Sequence, residues 1–175
     1  STKDMGLLLT KSGYKDFSVQ VNCDADWASH RQDRKSMSGS LTYVNGSLCN
    51  WVSKKQATVA LSSTESEVYA MTLAVTDAFH TWHVLQQMYK NSRDVKLHFP
   101  FQVYCDNQSA KAIAETSLNT ARSKWYDVRC KFLSDWSQKG KLVYHYVRSA
   151  LNVSDVLTKS LDATKHVGFL KQILG

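Results

Sequence analysis

Four acidic residues are the strongest candidates for chemistry in this sequence, because each lies beside apolar residues at the end of a predicted strand or helix. They are Asp24, Glu67, Asp106 and Asp155. A carboxylate next to a core is costly unless it is paired or binds a cation. Taken singly, each acid is more readily explained as a capping or surface residue. Taken together, the four predict one acidic metal site.

The four acids are far apart in the chain, so only a folded domain can bring them together. Asp24 closes the first predicted strand and Asp106 ends the fourth, so the two meet if these strands are neighbours. Glu67 lies on the predicted helix between them. Asp155 has to come from a helix near the C-terminus.

The strands that position these acids are predicted by alternating apolar and polar residues. The dipeptide Asn45-Gly46 is a strong hairpin signal between two of the strands. The segment Lys54-Lys55-Gln56 is expected to be a basic connection. Strands are predicted at 17–25, 38–44, 47–52, 99–105 and 142–147.

The helices are predicted where apolar residues recur every three or four positions. The longest follows Ser62-Ser63-Thr64-Glu65, which has the spacing of a capping box. Three strands followed by alternating helices and strands predict an α/β domain, with a mixed sheet covered by helices. Helices are predicted at 64–90, at 107–116, at 123–139, from a cap at Asn152 and from Asp162 to Leu174.

Composition limits the class of protein. The 175 residues, 43% of them hydrophobic, are enough for one globular domain with its own core. The net charge of +7 is compatible with a polyanionic partner. The four cysteines form no Cys-x-x-Cys pair, and no apolar run has membrane-spanning length, so we expect a reduced intracellular protein without a membrane partner.

Six blocks of sequence carry a resemblance to a known family. The chain resembles the ribonuclease H domain of copia-type LTR retrotransposon polyproteins, and the blocks occur in family order. The similarity of Thr2–Leu7 to the end of a connection segment suggests a fragment in which residues 1–16 end that segment and 17–175 form the ribonuclease H domain. The blocks are Cys23–Ala28, Asp33–Gly39, Trp51–Gln56, Leu61–Glu67, Tyr104–Ala110 and Asp155–Leu161.

The resemblance implies a ribonuclease H-like fold, with a five-stranded mixed sheet flanked by helices and a site of four carboxylates. Asp24, Glu67, Asp106 and Asp155 match the catalytic, metal-binding acids of the family. Glu67-Val68-Tyr69-Ala70 fits the family's Glu-x-x-Ala motif better than Glu65 does. Asp26 remains a rival for the first position, because it shares a face with Asp24 if the strand continues.

The implied activity is hydrolysis of the RNA strand of RNA/DNA hybrids during reverse transcription. Two Mg²⁺ ions, replaceable by Mn²⁺, would serve the reaction, and the products would carry a 5′-phosphate and a 3′-hydroxyl. The expected partners are the hybrid and the reverse transcriptase domain of the same polyprotein. The expected location is a cytoplasmic virus-like particle.

Substrate contacts are predicted at two places. Lys54, Lys55 and Gln56 could hold the phosphate backbone, although a solvated turn is an equal alternative. Asn107 and Gln108 follow the third acid and could reach sugars or minor-groove edges. Two tryptophans, Trp27 and Trp51, are expected in the core rather than in contact with bases.

The sequence departs from the family at its histidines. Lys124-Trp125 stands where the family usually has Lys-His, Lys131 stands near the place of a second histidine, and the 148–154 loop contains no histidine. These changes bear on product release or substrate contact rather than on the metal site. Two alternatives to an active ribonuclease H stay open: a weakly active or domesticated domain that binds nucleic acid or serves as a scaffold, and another nuclease or transposase of the same superfamily.

Overall fold

A computed structural model of the protein describes residues 6–7, 9, 16–91, 96–116 and 127–174. The predicted five-stranded mixed sheet flanked by helices is confirmed. The strands are β1 (Asp16–Phe17), β2 (Val19–Asp26), β3 (Met37–Val44), β4 (Ser47–Lys55), β5 (Lys96–Leu97), β6 (Phe101–Cys105) and β7 (Leu142–Tyr146). The α-helices are α1 (Ser63–Met88), α2 (Gln108–Thr116), α3 (Asp127–Gln138) and α4 (Ala163–Leu174), and two short 3₁₀ helices span Ser149–Leu151 and Val153–Leu157.

The strand order β4-β3-β2-β6-β7 places β2 at the centre of the main sheet. β2 runs antiparallel to β3 and parallel to β6, and Asn22 is paired with Tyr104. Asp24 and Asp106 each lie two residues beyond that pair. The expected neighbourhood of the first and fourth predicted strands is therefore confirmed, and both acids lie at the carboxyl ends of adjacent parallel strands.

Two apolar clusters lie on opposite faces of the sheet. Alternate residues of β2, such as Val19 and Val21, point towards α1 and form the larger cluster with residues of α3, β6 and β7. The smaller cluster joins Leu41 of β3 to Phe169 and Ile173 of α4. Helices therefore cover both faces, and the 3₁₀ segment that carries Asp155 lies on the α4 side.

The start of α1 is fixed by its cap. Ser62 accepts a hydrogen bond from the backbone N–H of Glu65 at 3.1 Å, and the Glu65 carboxylate accepts one from the N–H of Leu61 at 2.8 Å. The bond to Ser62 satisfies a donor that the first turn leaves unpaired, and the bond from Leu61 fixes the residue before the cap. The carboxylate of Glu65 is therefore used locally, whereas Glu67 lies further along the helix.

Some predicted boundaries were wrong. The segment Lys54-Lys55 belongs to β4 rather than to a connection, because β3 continues to pair with it through Ser38 and Met37. The segment after Asn152 forms a 3₁₀ helix instead of an α-helix. The start of the helix predicted at 123–139, including Lys124-Trp125, lies outside the described residues. Among the described residues, no helix has the length and apolar character needed to cross a membrane.

Candidate metal centre

Three carboxylates meet at one end of the sheet. Asp24 lies in β2, Asp106 directly follows β6, and Asp155 lies in the 3₁₀ helix Val153–Leu157. One carboxylate oxygen from each lies within 4.8 Å of the others. Asp24 and Asp155 are buried, whereas Asp106 is half-buried. Convergent carboxylate oxygens are the donors that hard divalent cations such as Mg²⁺ prefer.

Glu67 lies beside this cluster and has a free oxygen. Its Oε1 accepts a hydrogen bond from the backbone N–H of Ala25 at 3.2 Å. Its Oε2 is buried and has no hydrogen-bond partner among the described residues. Burial, followed by the charges of Asp24 and Asp106, raises the pKa of Glu67 from 4.5 to about 9. A buried oxygen without a partner beside three carboxylates fits a metal ligand, so the donor set fits a divalent cation.

The pKa of Asp24 is also raised, to about 6. Burial is the main cause, while a hydrogen bond from Thr158 and the charge of Lys159 act in the opposite direction. The Thr158 hydroxyl donates to Asp24 Oδ2. Asp24 therefore sits deep enough in the sheet to be costly as a charge, and it is stabilised mainly by residues that follow Asp155.

Two lysines form ion pairs with two acids of the cluster. The Lys159 ammonium lies 3.1 Å from Asp24 Oδ1 and 2.8 Å from Asp155 Oδ1. The Lys165 ammonium lies 2.7 Å from Asp155 Oδ2. Burial lowers the pKa of Lys159, but its contacts with the two aspartates more than offset this and raise it. The sequence prediction assigned these lysines no role, although the four-residue step from Asp155 to Lys159 was a usable signal.

The rival acids stay outside the cluster. β2 does continue to Asp26, as the alternative required, but the group of converging carboxylates contains Asp24 and not Asp26. The Glu65 carboxylate accepts a hydrogen bond from the Leu61 N–H at the cap of α1. The geometry among the described residues thus favours Asp24 and Glu67 as the ligand candidates.

The predicted phosphate contacts border a cleft of about 260 Å³ beside the amino-terminal half of α1. Lys55 already pairs with Asp33 at 3.0 Å. Gln56 is buried, and its amide nitrogen donates to Ser38 Oγ and to the carbonyl oxygen of Ser66, each at 2.9 Å. These two bonds leave no amide hydrogen of Gln56 for a phosphate.

The same cleft contains a basic residue that the sequence prediction missed. The Arg129 guanidinium of α3 lies 3.9 Å from the centre of the Tyr69 ring of α1. The Lys54 side chain also borders the cleft. Arg129 and Lys54 therefore present positive charge on two sides of one opening. Their separation in sequence explains why no local pattern indicated the pair.

The residues that follow Asp106 have two different environments. Asn107 Oδ1 accepts a hydrogen bond from the N–H of Ala110 at 2.9 Å and caps α2. Gln108 is exposed at the first position of that helix. The cap therefore fixes the orientation of the Asn107 amide, whereas the Gln108 amide is free to turn towards a ligand.

The prediction that Trp27 and Trp51 lie in the core was wrong. Their exposed fractions are 49% and 54%. The indole N–H of Trp27 donates to the carbonyl oxygen of Ala60 at 3.0 Å, which fixes an exposed ring shortly after Asp24 and Asp26. Trp51 lies on β4 and borders an apolar pocket beside α4.

Several known proteins are similar to this chain in sequence. No family model matches the chain. The chain is 32% identical over 142 residues to the retrovirus-related Pol polyprotein from transposon TNT 1-94 of Nicotiana tabacum. The matched region covers 81% of this chain and 10% of that protein. It is 28% identical over 172 residues to the Pol polyprotein from transposon RE1 of Arabidopsis thaliana, with 98% and 11% covered. The chain therefore spans about a tenth of the length of these relatives.

Solved structures of ribonucleases H share the fold. Ribonuclease H1 from Halobacterium salinarum superposes with a TM-score of 0.56 at 13% identity, over 86% of this chain and 98% of that one. LC11 ribonuclease H1, in complex with an RNA/DNA hybrid, superposes with a TM-score of 0.53 at 10% identity, over 81% and 94%. At such identities the likeness shows the fold alone. The sequence relatives and the fold agree: the chain belongs to the copia-type retrotransposon Pol polyproteins, of which it is a segment with the ribonuclease H fold.

Proposed function

We propose that the protein is a metal-dependent endonuclease that hydrolyses the RNA strand of RNA/DNA hybrids. The observation that carries this proposal is the convergence of Asp24, Asp106 and Asp155 beside the unpartnered oxygen of Glu67. The ribonuclease H fold and the Pol relatives support a nuclease of this type. The hybrid in the LC11 complex supports the choice of substrate.

The four acids would hold two Mg²⁺ ions, for which Mn²⁺ can substitute. When bound, such ions neutralise phosphate charge, activate water and stabilise the leaving oxygen. Asp24 is held rigidly within the central strand, and Thr158 orients one of its oxygens. Glu67 keeps Oε2 free because its other oxygen is fixed by the Ala25 N–H. The proposed products carry a 5′-phosphate and a 3′-hydroxyl.

The hybrid would contact residues around the acids. Lys54 and Arg129 offer charge to a phosphate in the cleft beside α1, and Lys55 can add to it by releasing Asp33. Gln108, with the amide hydrogens of Asn107, would reach sugars or groove edges. Gln56 would act only through its buried Oε1, which has no partner among the described residues and can accept from a hydroxyl group.

The biological setting is part of the same proposal. The relatives are Pol polyproteins, so the domain would work beside the reverse transcriptase of its own polyprotein, in a cytoplasmic virus-like particle. Residues 1–16 would end the connection segment, and most of them lie outside the described residues. The ribonuclease H domain would begin at Phe17.

A labelled RNA/DNA hybrid incubated with Mg²⁺ tests the activity. Wild type should cleave the RNA strand, and Asp24→Asn and Glu67→Gln should reduce the rate by at least about a hundredfold because each removes a metal-facing charge. Asp26→Asn is the matched control, since it makes the same change two residues from Asp24, outside the cluster. Equal rates for wild type and Asp24→Asn would refute the proposal.

A second function is favoured by one observation. Lys159 and Lys165 both pair with Asp155, and Lys159 also pairs with Asp24, so two of the carboxylates already have cationic partners. A domain in this state would bind the hybrid through its basic surface and cleave it poorly. Hybrid binding by wild type without cleavage in Mg²⁺ or Mn²⁺ would support this alternative over the enzyme.

A further inference from the structure

The segment that carries Asp155 passes extremely close to β3 at Gly39. A Cβ atom placed on Gly39 would lie 2.8 Å from Thr158 Cγ2, 2.9 Å from Leu157 Cβ and 3.2 Å from the carbonyl oxygen of Ser154. The two shortest distances are far below the usual contact of about 3.5–4.0 Å between carbon atoms. Among the described residues, the glycines with positive φ are Gly46 and Gly140, so the backbone conformation does not demand glycine at position 39. Glycine is required at position 39 because the neighbouring segment leaves no room for a side chain.

Gly39 is also the cross-strand partner of Asp24. The register of β2 and β3 pairs these two residues directly. Side chains of directly opposed residues project from the same face of a sheet. A side chain at position 39 would therefore stand next to the Asp24 carboxylate, in the space that residues 154–158 now occupy.

Hydrogen bonds hold this segment down on both sides of Gly39. We call residues 152–158 the Asp155 strap. At its start, the fully buried Asn152 donates to the carbonyl oxygen of Cys23 at 3.0 Å and accepts from Ser154 Oγ at 2.6 Å. At its end, Ser53 of β4 donates to the carbonyl oxygen of Leu157 at 2.6 Å. The strap is thus tied to β2 and β4 and rests on β3 between them.

We propose that Gly39 is a positioning residue that sets the separation of Asp155 from Asp24, and through it the metal affinity of the site. The hydrogen bonds of Asn152 and Ser53 hold the strap against the sheet. Because Gly39 has no side chain, the strap lies close enough to β3 for Asp155 to lie beside the other acids. A methyl group at position 39 lifts the strap and moves Asp155 away from Asp24. This inference rests on the proposed metal-dependent function.

The test compares Gly39→Ala with Gly168→Ala, both as the full chain. Gly168 is the matched control, because a Cβ there meets nothing within 4 Å. Binding of Mn²⁺ is measured by calorimetry and by the rise in Tm that the ion produces, without nucleic acid. Gly39→Ala should lose at least about tenfold in affinity, as residues that orient metal ligands do, and Gly168→Ala should match wild type.

Cleavage kinetics give a second readout. In Gly39→Ala, kcat should fall while KM for the hybrid stays near the wild-type value, since the cleft residues Lys54 and Arg129 are untouched. A variant that is merely less stable would keep the metal affinity of its folded fraction. Wild-type metal affinity in Gly39→Ala would overturn the inference, whereas failure of wild type to bind metal would instead overturn the proposed function.

A double variant keeps the test decisive if Gly39→Ala does not fold. Thr158→Ser removes the closest atom, Cγ2, and keeps the hydroxyl that donates to Asp24. Gly39→Ala/Thr158→Ser should fold and bind Mn²⁺ more weakly than Thr158→Ser alone, because Leu157 Cβ still meets the new methyl group. Equal affinity of these two variants would refute the positioning role.

Discussion

Lys159 occupies the place of a cation between two acids. Its ammonium contacts Asp24 Oδ1 and Asp155 Oδ1, and these two carboxylates belong to the group that would hold a metal ion. A fixed positive charge at that place repels a divalent ion and competes for its ligands. The same charge relieves the repulsion between the two carboxylates. Lys159 should therefore weaken metal binding while supporting the metal-free fold.

Replacement of Lys159 by glutamine should separate these two effects. We expect Lys159→Gln to bind Mg²⁺ or Mn²⁺ roughly five- to tenfold more tightly, because a competing charge a few ångströms away is removed. The metal-free variant should have a lower Tm than wild type. Calorimetric titration and thermal unfolding in chelator measure the two quantities.

A distant lysine provides the control for that comparison. Lys139 pairs with Asp135 at 2.6 Å over the same four-residue step as Lys159 and Asp155, but on the surface. Lys139→Gln should change neither metal affinity nor Tm noticeably, since exposed pairs contribute little. Weaker metal binding in Lys159→Gln would show that the lysine assists the ion rather than competing with it.

At the scale of elements, the strands and helices were largely predictable and the exceptions have physical reasons. α1 was predicted at 64–90 because its apolar periodicity is long and its cap is explicit. β4 was predicted to end too early because Lys54 and Lys55 lie on an edge strand, where charged residues are tolerated and hide the pattern. The strap was predicted as an α-helix because so short an apolar pattern does not distinguish the two helix types.

The acids of the candidate site could be predicted from the sequence, whereas the residues that hold Asp155 in place could not. Asp24, Asp106 and Asp155 were identifiable from their blocks, and the structure brings them together, although their catalytic role stays a prediction. Gly39 and Asn152 were not identifiable as supports, because their partners lie in other elements. Gly39 lies close to Thr158, and Asn152 donates to the carbonyl oxygen of Cys23. Neither contact produces a periodic pattern in the local sequence.

The strap should depend on Asn152 for stability. Asn152→Ala leaves the Cys23 carbonyl oxygen and the Ser154 hydroxyl without their partner in a buried place. Buried polar groups that lose a hydrogen bond cost about 1–3 kcal/mol each. We expect the free energy of unfolding, measured with urea, to fall by about 2–6 kcal/mol on the same basis. Ser154→Ala removes one of these bonds and should cost less; equal losses would contradict the assigned geometry.

At the scale of the whole molecule, stability should depend on pH through Glu67. The pKa of its carboxyl group is raised from 4.5 to about 9 in the folded, metal-free protein. Between these values the folded state binds a proton that the unfolded chain has lost, so stability is highest at low pH and falls as pH rises towards 9. The pKa of Asp24 is raised from 3.8 to about 6, so this residue adds a further loss of stability as pH rises between these two values.

Urea unfolding in chelator between pH 6.5 and 8.5 isolates the contribution of Glu67. The free energy of unfolding should fall by up to about 1.4 kcal/mol per pH unit in wild type. Glu67→Gln cannot titrate and should show a much flatter dependence. The raised pKa of Lys159 acts only above its usual 10.5 and lies outside this range. Parallel slopes for the two proteins would show that Glu67 is ionised throughout.

The place of the strap in the chain has a consequence during translation. The ribosome releases β2, α1 and β6 first, so Asp24, Glu67 and Asp106 emerge before Asn152. A nascent chain can begin to build the sheet from these elements, but its fourth carboxylate is still missing. Lys159 and Lys165, which balance the charge of the acids, also emerge late. The order of synthesis therefore completes the group of four acids only after translation has passed the strap.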